Sequence, residues 1–314
     1  MNAPAAETMR ALPKKKWKSP IGKETLPGYI FISPWLIGFL LLTAWPIGQS
    51  LYLSFTEYSM LSAPQWIGTA NYERMWSDAT FWKSLRVTFT FVLFAVPLRL
   101  AFSLLVAMLL NRAMRGMNLY RTLIYFPSLI GGSVAVAALW RNMFGVDGYI
   151  NSILGFFGIP GMGWISHPDT ALYTLILLNT WQFGSTMVIF LAGLKQIPTE
   201  LYEAASVDGA GPVRKFFNVT LPMLSPVMFF NLVLTVINSF QMFTAAFIIT
   251  KGGPVQSTYM YALFLYEKAF KHYQMGYASA LAWVLLAIVG ILTAINFLAS
   301  KYWVFYENEG GGKR

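Results

Sequence analysis

The chain has no cysteine in 314 residues. It can therefore build neither a disulfide framework nor a thiolate metal site or nucleophile. Histidine is nearly as scarce: His167 and His272 fall in predicted loops and are too few to form a metal cluster alone. Charge is scarce as well, at 11% of residues against about a quarter in soluble domains. No GxxxxGK[ST] phosphate loop is present, so any ATP that drives this protein must be bound by another subunit. No Ser/His/Asp set or carboxylate pair stands out, and acidic residues are nearly confined to loops and the helices beside them. These absences point away from an enzyme. The chain also shows no convincing internal repeat, which weakens a secondary carrier built from inverted halves.

What is abundant is apolar surface. Hydrophobic residues make up 56% and aromatics 17% of the chain. Six runs approach the roughly 20 residues needed to cross hydrocarbon. They fall at about 29–56, 84–110, 119–142, 170–194, 222–250 and 276–300. The expected fold is an all-α polytopic membrane protein with six transmembrane helices. Residues 1–28 precede them as a basic segment with Lys14, Lys15, Lys16 and Lys18, suited to anionic lipid. That segment lacks the apolar core of a cleavable signal peptide. The membrane domain is expected over 29–306 and a short tail over 307–314.

The net charge of +10 could suggest a nucleic-acid partner, but its placement argues for a membrane face instead. Fifteen of the 23 lysines and arginines lie in the alternate segments 1–28, 111–121, 195–221 and 301–314. By the positive-inside rule both termini and the segment 195–221 face the cytoplasm. No nucleic-acid role is expected.

Polar residues at membrane depth are costly unless they face protein or a water-filled cavity. The fourth span carries Asn179, Trp181, Gln182, Ser185 and Thr186, and the fifth carries Asn231, Thr235, Asn238, Ser239 and Gln241. Thr235, Asn238, Ser239 and Met242 follow helical spacing along one face. Such a mixture of amides, hydroxyls and aromatics suits a sugar. The same groups also glue helices together in many membrane proteins. For the cluster as a whole the site is the favoured reading. Arg99, halfway along the second span and two residues after Pro97, should face the bundle interior.

Between the fourth and fifth runs lies Leu201 to Pro222, the longest water-compatible segment between two spans. Pro198 and Thr199 signal a helix start, with Thr199 a candidate N-cap. Glu200 and Glu203 favour the helix N-terminus. Gly209 and Gly211 end that helix, and Pro212 suits the start of a second short one over Val213 to Phe217.

This stretch resembles the EAA loop of ABC importer permeases, in Glu203-Ala204-Ala205, Gly209 and Val219-Thr220-Leu221-Pro222. From about 29 to 306 the chain is similar to the carbohydrate-uptake branch that includes the maltose importer. Asn179-Thr180-Trp181, Leu191-Ala192-Gly193-Leu194, Ile197-Pro198 and Lys251-Gly252-Gly253-Pro254 match, as do Met275 to Ala280 and Trp303 to Tyr306. The resemblance implies a type I ABC importer permease fold of the MetI-like kind, in a bacterial cytoplasmic membrane.

It also implies partners: a second homologous permease, an ABC ATPase dimer and a periplasmic or extracellular sugar-binding protein. No cofactor would be bound by this chain, with ATP and Mg held on the ATPase. Trp181 and Gln182 are candidate substrate contacts from the polar set of the fourth span, and the resemblance places further contacts at Phe183, Thr186, Thr235, Asn238, Ser239 and Met242. It places ATPase coupling at Glu203, Ala204, Ala205, Asp208, Gly209, Phe216, Leu221 and Pro222. The expected substrate is a sugar or oligosaccharide. Two readings of Arg99 stay open: attraction of an acidic sugar such as an alginate fragment, or a structural bond to carbonyls freed by Pro97. A self-contained secondary sugar carrier is the alternative function.

Overall fold

The computed structural model describes residues 26–112 and 116–305, with side chains from Gly28 onward. The lysine cluster at 14–18 and the tail from 306 lie outside the described residues. The chain divides into two compact units, one ending at Tyr52 and one starting at Leu53, and each is described by itself.

The first unit is almost all of helix α1, Gly28–Ser54, whose apolar window has a mean hydropathy of 1.9. Its large apolar side chains are exposed, Phe31 by 86%, as suits a helix solvated by lipid. Pro34 has no N–H for the Ile30 carbonyl, and the Ser33 hydroxyl donates to that carbonyl instead at 2.8 Å.

In the second unit a two-stranded antiparallel hairpin, β1 Thr56–Glu57 and β2 Gln65–Trp66, leads to the short helix α2, Ala70–Ser77. The buried Asn71 amide donates to the carbonyls of Ser54 and Thr56, both at 2.9 Å, and so holds the start of the hairpin. The long helix α3, Ala79–Leu110, follows and is the centre of the bundle. Its buried residues Phe81, Ser84, Thr88, Phe91 and Ala95 recur every three or four positions, a single stripe along the helix.

Helices α4 Met117–Ile130 and α5 Val134–Met143 come next, then the short α6, Tyr149–Phe156. Helices α7 Pro168–Trp181 and α8 Gly184–Gln196 precede α9, Thr199–Val207. Helix α10 runs over Pro212–Phe240, α11 over Tyr261–Tyr266 and α12 over Met275–Trp303. Helix α3 packs against α7, α8, α10 and α11. One apolar core joins α3, α5 and α7 through Phe91, Ala137 and Leu175, and a second joins α3, α8 and α10 through Ala107, Met187 and Leu224.

Among the described residues four helices are long and apolar enough to cross a membrane, and up to six spans result if each bent pair counts as one. The expected third span is not a straight rod: α4 and α5 meet at 98° across Gly131–Ser133. The fourth bends by 44° between Trp181 and Gly184. The fifth ends at Phe240 rather than near 250, where a separate π-helical turn, Ala246–Thr250, follows. Its start also differs. Pro212 to Phe240 forms one helix, with a wide π turn at Phe216–Thr220 in place of a break. The second short helix expected over 213–217 is therefore the cytoplasm-predicted end of a span. Pro226 leaves the Pro222 carbonyl without an N–H, and Ser225 donates to it at 2.6 Å, the same device as Ser33 and Pro34.

At the end of the bundle that carries α2 and α11, polar bonds tie the elements together. The buried Thr88 hydroxyl accepts from the Tyr261 N–H at 2.8 Å, and the Tyr261 hydroxyl donates to the Leu281 carbonyl at 2.8 Å. Asp78 caps α3 by accepting from the Thr80 N–H, and its other oxygen accepts from the Tyr277 hydroxyl at 3.1 Å. Burial pushes this carboxyl up, but those two bonds and the nearby Lys268 charge outweigh it and hold it below its ordinary value. Glu267 behaves alike. Burial raises it, and the bonds from Lys271 and the Tyr259 hydroxyl bring it below the ordinary value.

Candidate functional site

Three interruptions of apolar helices converge on one cavity of about 300 Å³. The α4–α5 break contributes Gly131, Gly132 and Ser133, the end of α7 contributes Leu178, Asn179 and Gln182, and the end of α10 contributes Asn238 and Gln241 to Ala245. Non-helical backbone at membrane depth is tolerated where it is buried in protein or lines such a cavity. Ser133 caps α5 through the Val136 N–H at 3.3 Å, and the Gln182 amide donates to the Gly131 carbonyl, so the two bends are tied to each other.

Arg99 lines the same cavity from α3. Among the described residues nothing accepts from its guanidinium, and its buried Nε has no partner. The structural bond to carbonyls beside Pro97 is not formed. Asn179, whose Oδ1 is buried and also without a partner, lines the cavity too.

The other residues expected to contact substrate are placed differently. Of the nine, Arg99, Gln182, Asn238 and Met242 line the cavity. Trp181 lies tilted by 45° against Trp140, with ring centroids 5.9 Å apart, at the edge of the first core. Phe183 meets Phe102 edge-on at 4.8 Å. Thr186, Thr235 and Ser239 are buried between helices, although Ser239 Oγ has no partner. The helix ends before Met242, so a single four-residue face does not form. Gly131, Gly132, Ser133 and Thr244 also line it and were not expected. The Gly-Gly-Ser triplet inside an apolar run was the available signal for the first three.

The second feature is the segment between α8 and α10. Helix α9 starts at Thr199, and Pro198 takes the N-cap position without a side-chain bond, so Thr199 does not cap. Its end is a Schellman motif: the Ala210 N–H reaches the Ala205 carbonyl at 2.9 Å, and the Gly209 N–H reaches Ser206 at 3.1 Å. Gly209 has φ of +72°, a conformation that strains any side-chain-bearing residue. The Tyr202 hydroxyl bonds Thr220 at 2.9 Å and Lys215 donates to Ser206 at 2.6 Å, which fastens α9 to the first turns of α10. Tyr202 also packs on the core of Leu194, Ile197 and Leu224.

Glu203, Ala204, Asp208 and Gly209 are exposed, whereas Ala205, Phe216, Leu221 and Pro222 are half-buried. Val207 and Val213 stand out as exposed apolar side chains beside them. The segment is a braced, outward-facing knob.

Comparison with known proteins agrees with this architecture. A family model described as "binding-protein-dependent transport system inner membrane component" matches residues 80–301. The probable ABC transporter permease protein YesP of Bacillus subtilis (strain 168) is 56% identical over 299 residues, covering 94% of this chain and 96% of YesP. The lactose transport system permease protein LacF of Rhizobium radiobacter is 33% identical over 282 residues, covering 87% of this chain and 94% of LacF. Among solved structures, a chain of a bacterial alginate ABC transporter in complex with alginate pentasaccharide-bound periplasmic protein superposes with a TM-score of 0.78. It covers 89% of this chain and 95% of that one at 19% identity, a likeness of fold. With a family match over most of its length and a full-length relative above half identity, this chain belongs to the binding-protein-dependent inner-membrane permeases of ABC transporters.

Proposed function

We propose that the chain forms half of the translocation channel of an ATP-driven importer for a sugar or oligosaccharide. The observation that carries this reading is the convergence of three helix interruptions and a half-buried arginine on one polar cavity. Broken helices at membrane depth are where transporters place their substrate sites. Amide and hydroxyl groups of Asn179, Gln182, Asn238, Gln241 and Thr244 line it, as sugar hydroxyls require. The lactose-transporting relative supports the sugar class.

In this reading six spans occupy 29–306 of a bacterial cytoplasmic membrane, with both termini and the segment 195–222 on the cytoplasmic side. A second, similar permease completes the channel, and an external binding protein delivers the sugar. ATP and Mg belong to a separate ATPase dimer into which the knob around Glu203 to Gly209 docks. The bonds from Tyr202 and Lys215 make the knob move with α10, and α10 reaches the cavity through Asn238. One rigid helix thus links the docking surface to the substrate. A self-contained carrier is not favoured, because α3, α4, α5, α8, α10 and α12 contain no Asp or Glu to couple an ion.

The test is gentle extraction of the tagged chain from its native membrane, identification of what co-purifies, and reconstitution of that assembly in vesicles. A P-loop ATPase and a second permease should accompany it, and sugar should accumulate only with ATP and the binding protein. A monodisperse chain that transports sugar alone would overturn the proposal.

A further inference from the structure

We infer that the cavity takes a saccharide bearing a carboxylate, and that Arg99 is the side chain that meets it. This rests on the sugar-permease reading above and narrows it to a substrate class.

The argument begins with what surrounds Arg99. Arg99 is half-buried with its Nε enclosed, and a cation at membrane depth costs several kcal/mol, on the order of 3 on insertion scales, so proteins pair such groups. Here the pairing is missing. Among the described residues the guanidinium has no hydrogen-bond acceptor and no ion pair, and the cavity lining contains no Asp or Glu. The helices that build the wall carry no acidic residue at membrane depth: α7 has Asp169 in its first turn, and α3, α4, α5 and α10 have none. Among the described residues no negative charge meets the guanidinium, which leaves that place to a bound anion.

The rest of the lining says what kind of molecule brings it. Asn179 Oδ1 is buried and unpaired, an acceptor waiting for a hydroxyl. The side chains of Asn238, Gln241 and Thr244 add neutral donors and acceptors to the lining. A neutral sugar would satisfy these groups and leave the guanidinium charge unmet. A carboxylate on a sugar ring satisfies both, since the planar guanidinium donates to its two oxygens in parallel. Arg99 is the only Lys or Arg in the lining, which matches a monoanion better than a phosphate dianion.

The experiment uses the complete importer in vesicles and two matched sugar mixtures. One is a partial digest of pectin and alginate, rich in uronate oligosaccharides. The other is the same digest with its carboxyls reduced to alcohols, so that linkages and lengths are kept. Mass spectrometry reads what accumulates. Uronate-bearing species should enter at least about tenfold better than their reduced counterparts, and Arg99→Gln should erase that ratio, a change worth about 1.4 kcal/mol. Arg99→Lys, which keeps the charge, should retain part of it, and gel filtration of both assembled variants checks folding.

Equal entry of the two mixtures, or unchanged acidic uptake in Arg99→Gln, would overturn the inference. So would loss of the ratio in Arg99→Gln and Arg99→Lys alike. Uptake of reduced sugars alone would sink it while leaving the sugar-permease reading intact. Entry of neither mixture, in an assembly that still hydrolyses ATP, would sink both. A carboxylate donated by the second permease is tested by the same data, since such a fixed pair predicts equal entry.

Discussion

The Gln182 side-chain amide donates to the Gly131 carbonyl, and so joins the bend after α7 to the sharper turn between α4 and α5. A Cβ on Gly131 would lie 2.7 Å from Gln182 Cγ, so the approach requires glycine there. Gln182→Leu keeps the bulk and removes the donor. It should leave the Gly131 carbonyl unsatisfied and destabilise the protein by about 1–3 kcal/mol. A thermal melt of the purified assembly gives the loss of stability. Reconstituted uptake should fall as well, because both walls of the cavity depend on this bond. Unchanged stability and uptake would show that the two bends are held independently.

The knob between α8 and α10 predicts a different pattern. Gly209→Val places a branched side chain at φ of +72° and should cost about 1–3 kcal/mol locally. Glu203 is exposed and makes no contact that folding needs, so Glu203→Lys should alter only what docks there. Both variants should reach the membrane in normal amount. Each should hydrolyse ATP without matching uptake, read as sugar accumulated per ATP consumed. A normal ratio in both would remove the coupling role from this segment.

Thr88→Val tests the polar tie between α3 and α11. Valine fits the space but cannot accept from the Tyr261 N–H, which is buried. A buried donor left unpaired costs about 1–3 kcal/mol. Thr88→Ser keeps the hydroxyl and should recover most of the stability in the same melt. A fully stable valine variant would mean that the N–H finds another acceptor.

Acid should loosen the same end of the bundle. Asp78 and Glu267 are both held below their ordinary values, so each stabilises the folded state when ionised. That contribution is complete above the unfolded carboxylate range, near pH 4 to 5, and is lost as pH falls through the lower folded values. Asp78→Asn should flatten the acid limb of a stability-against-pH curve and lower the plateau at neutral pH. An acid limb identical to that of the unmutated protein would place the titration elsewhere.

Some of this was readable before any coordinates. The scarcity of charge and the length of the apolar runs identify a membrane protein, because transfer into hydrocarbon depends on composition along a window. The helix start at Thr199 and the stop at Gly209 follow from local chemistry, since proline and glycine act on their own backbone. Arg99 had to face inward for the same reason that it looked out of place: a charge cannot face lipid cheaply.

The breaks were a different matter. Hydropathy measures how gladly a stretch leaves water, and it is blind to the direction of the backbone. Residues 119–142 score as one span, yet the chain turns at Gly131 and Gly132, where Gln182, 51 residues after Gly131, supplies a donor for the Gly131 carbonyl. Periodicity likewise groups Thr235, Asn238, Ser239 and Met242 on one helix face. It cannot say that the helix ends at Phe240 or that Thr235 and Ser239 are covered by neighbours. Local sequence, then, determined the solvent of this protein, its number of apolar runs and the glycine stop of its loop helix. Only the tertiary structure decided which interruptions meet and which polar atoms stay unpaired, because a hydrogen bond across the bundle depends on positions that no window along the chain contains.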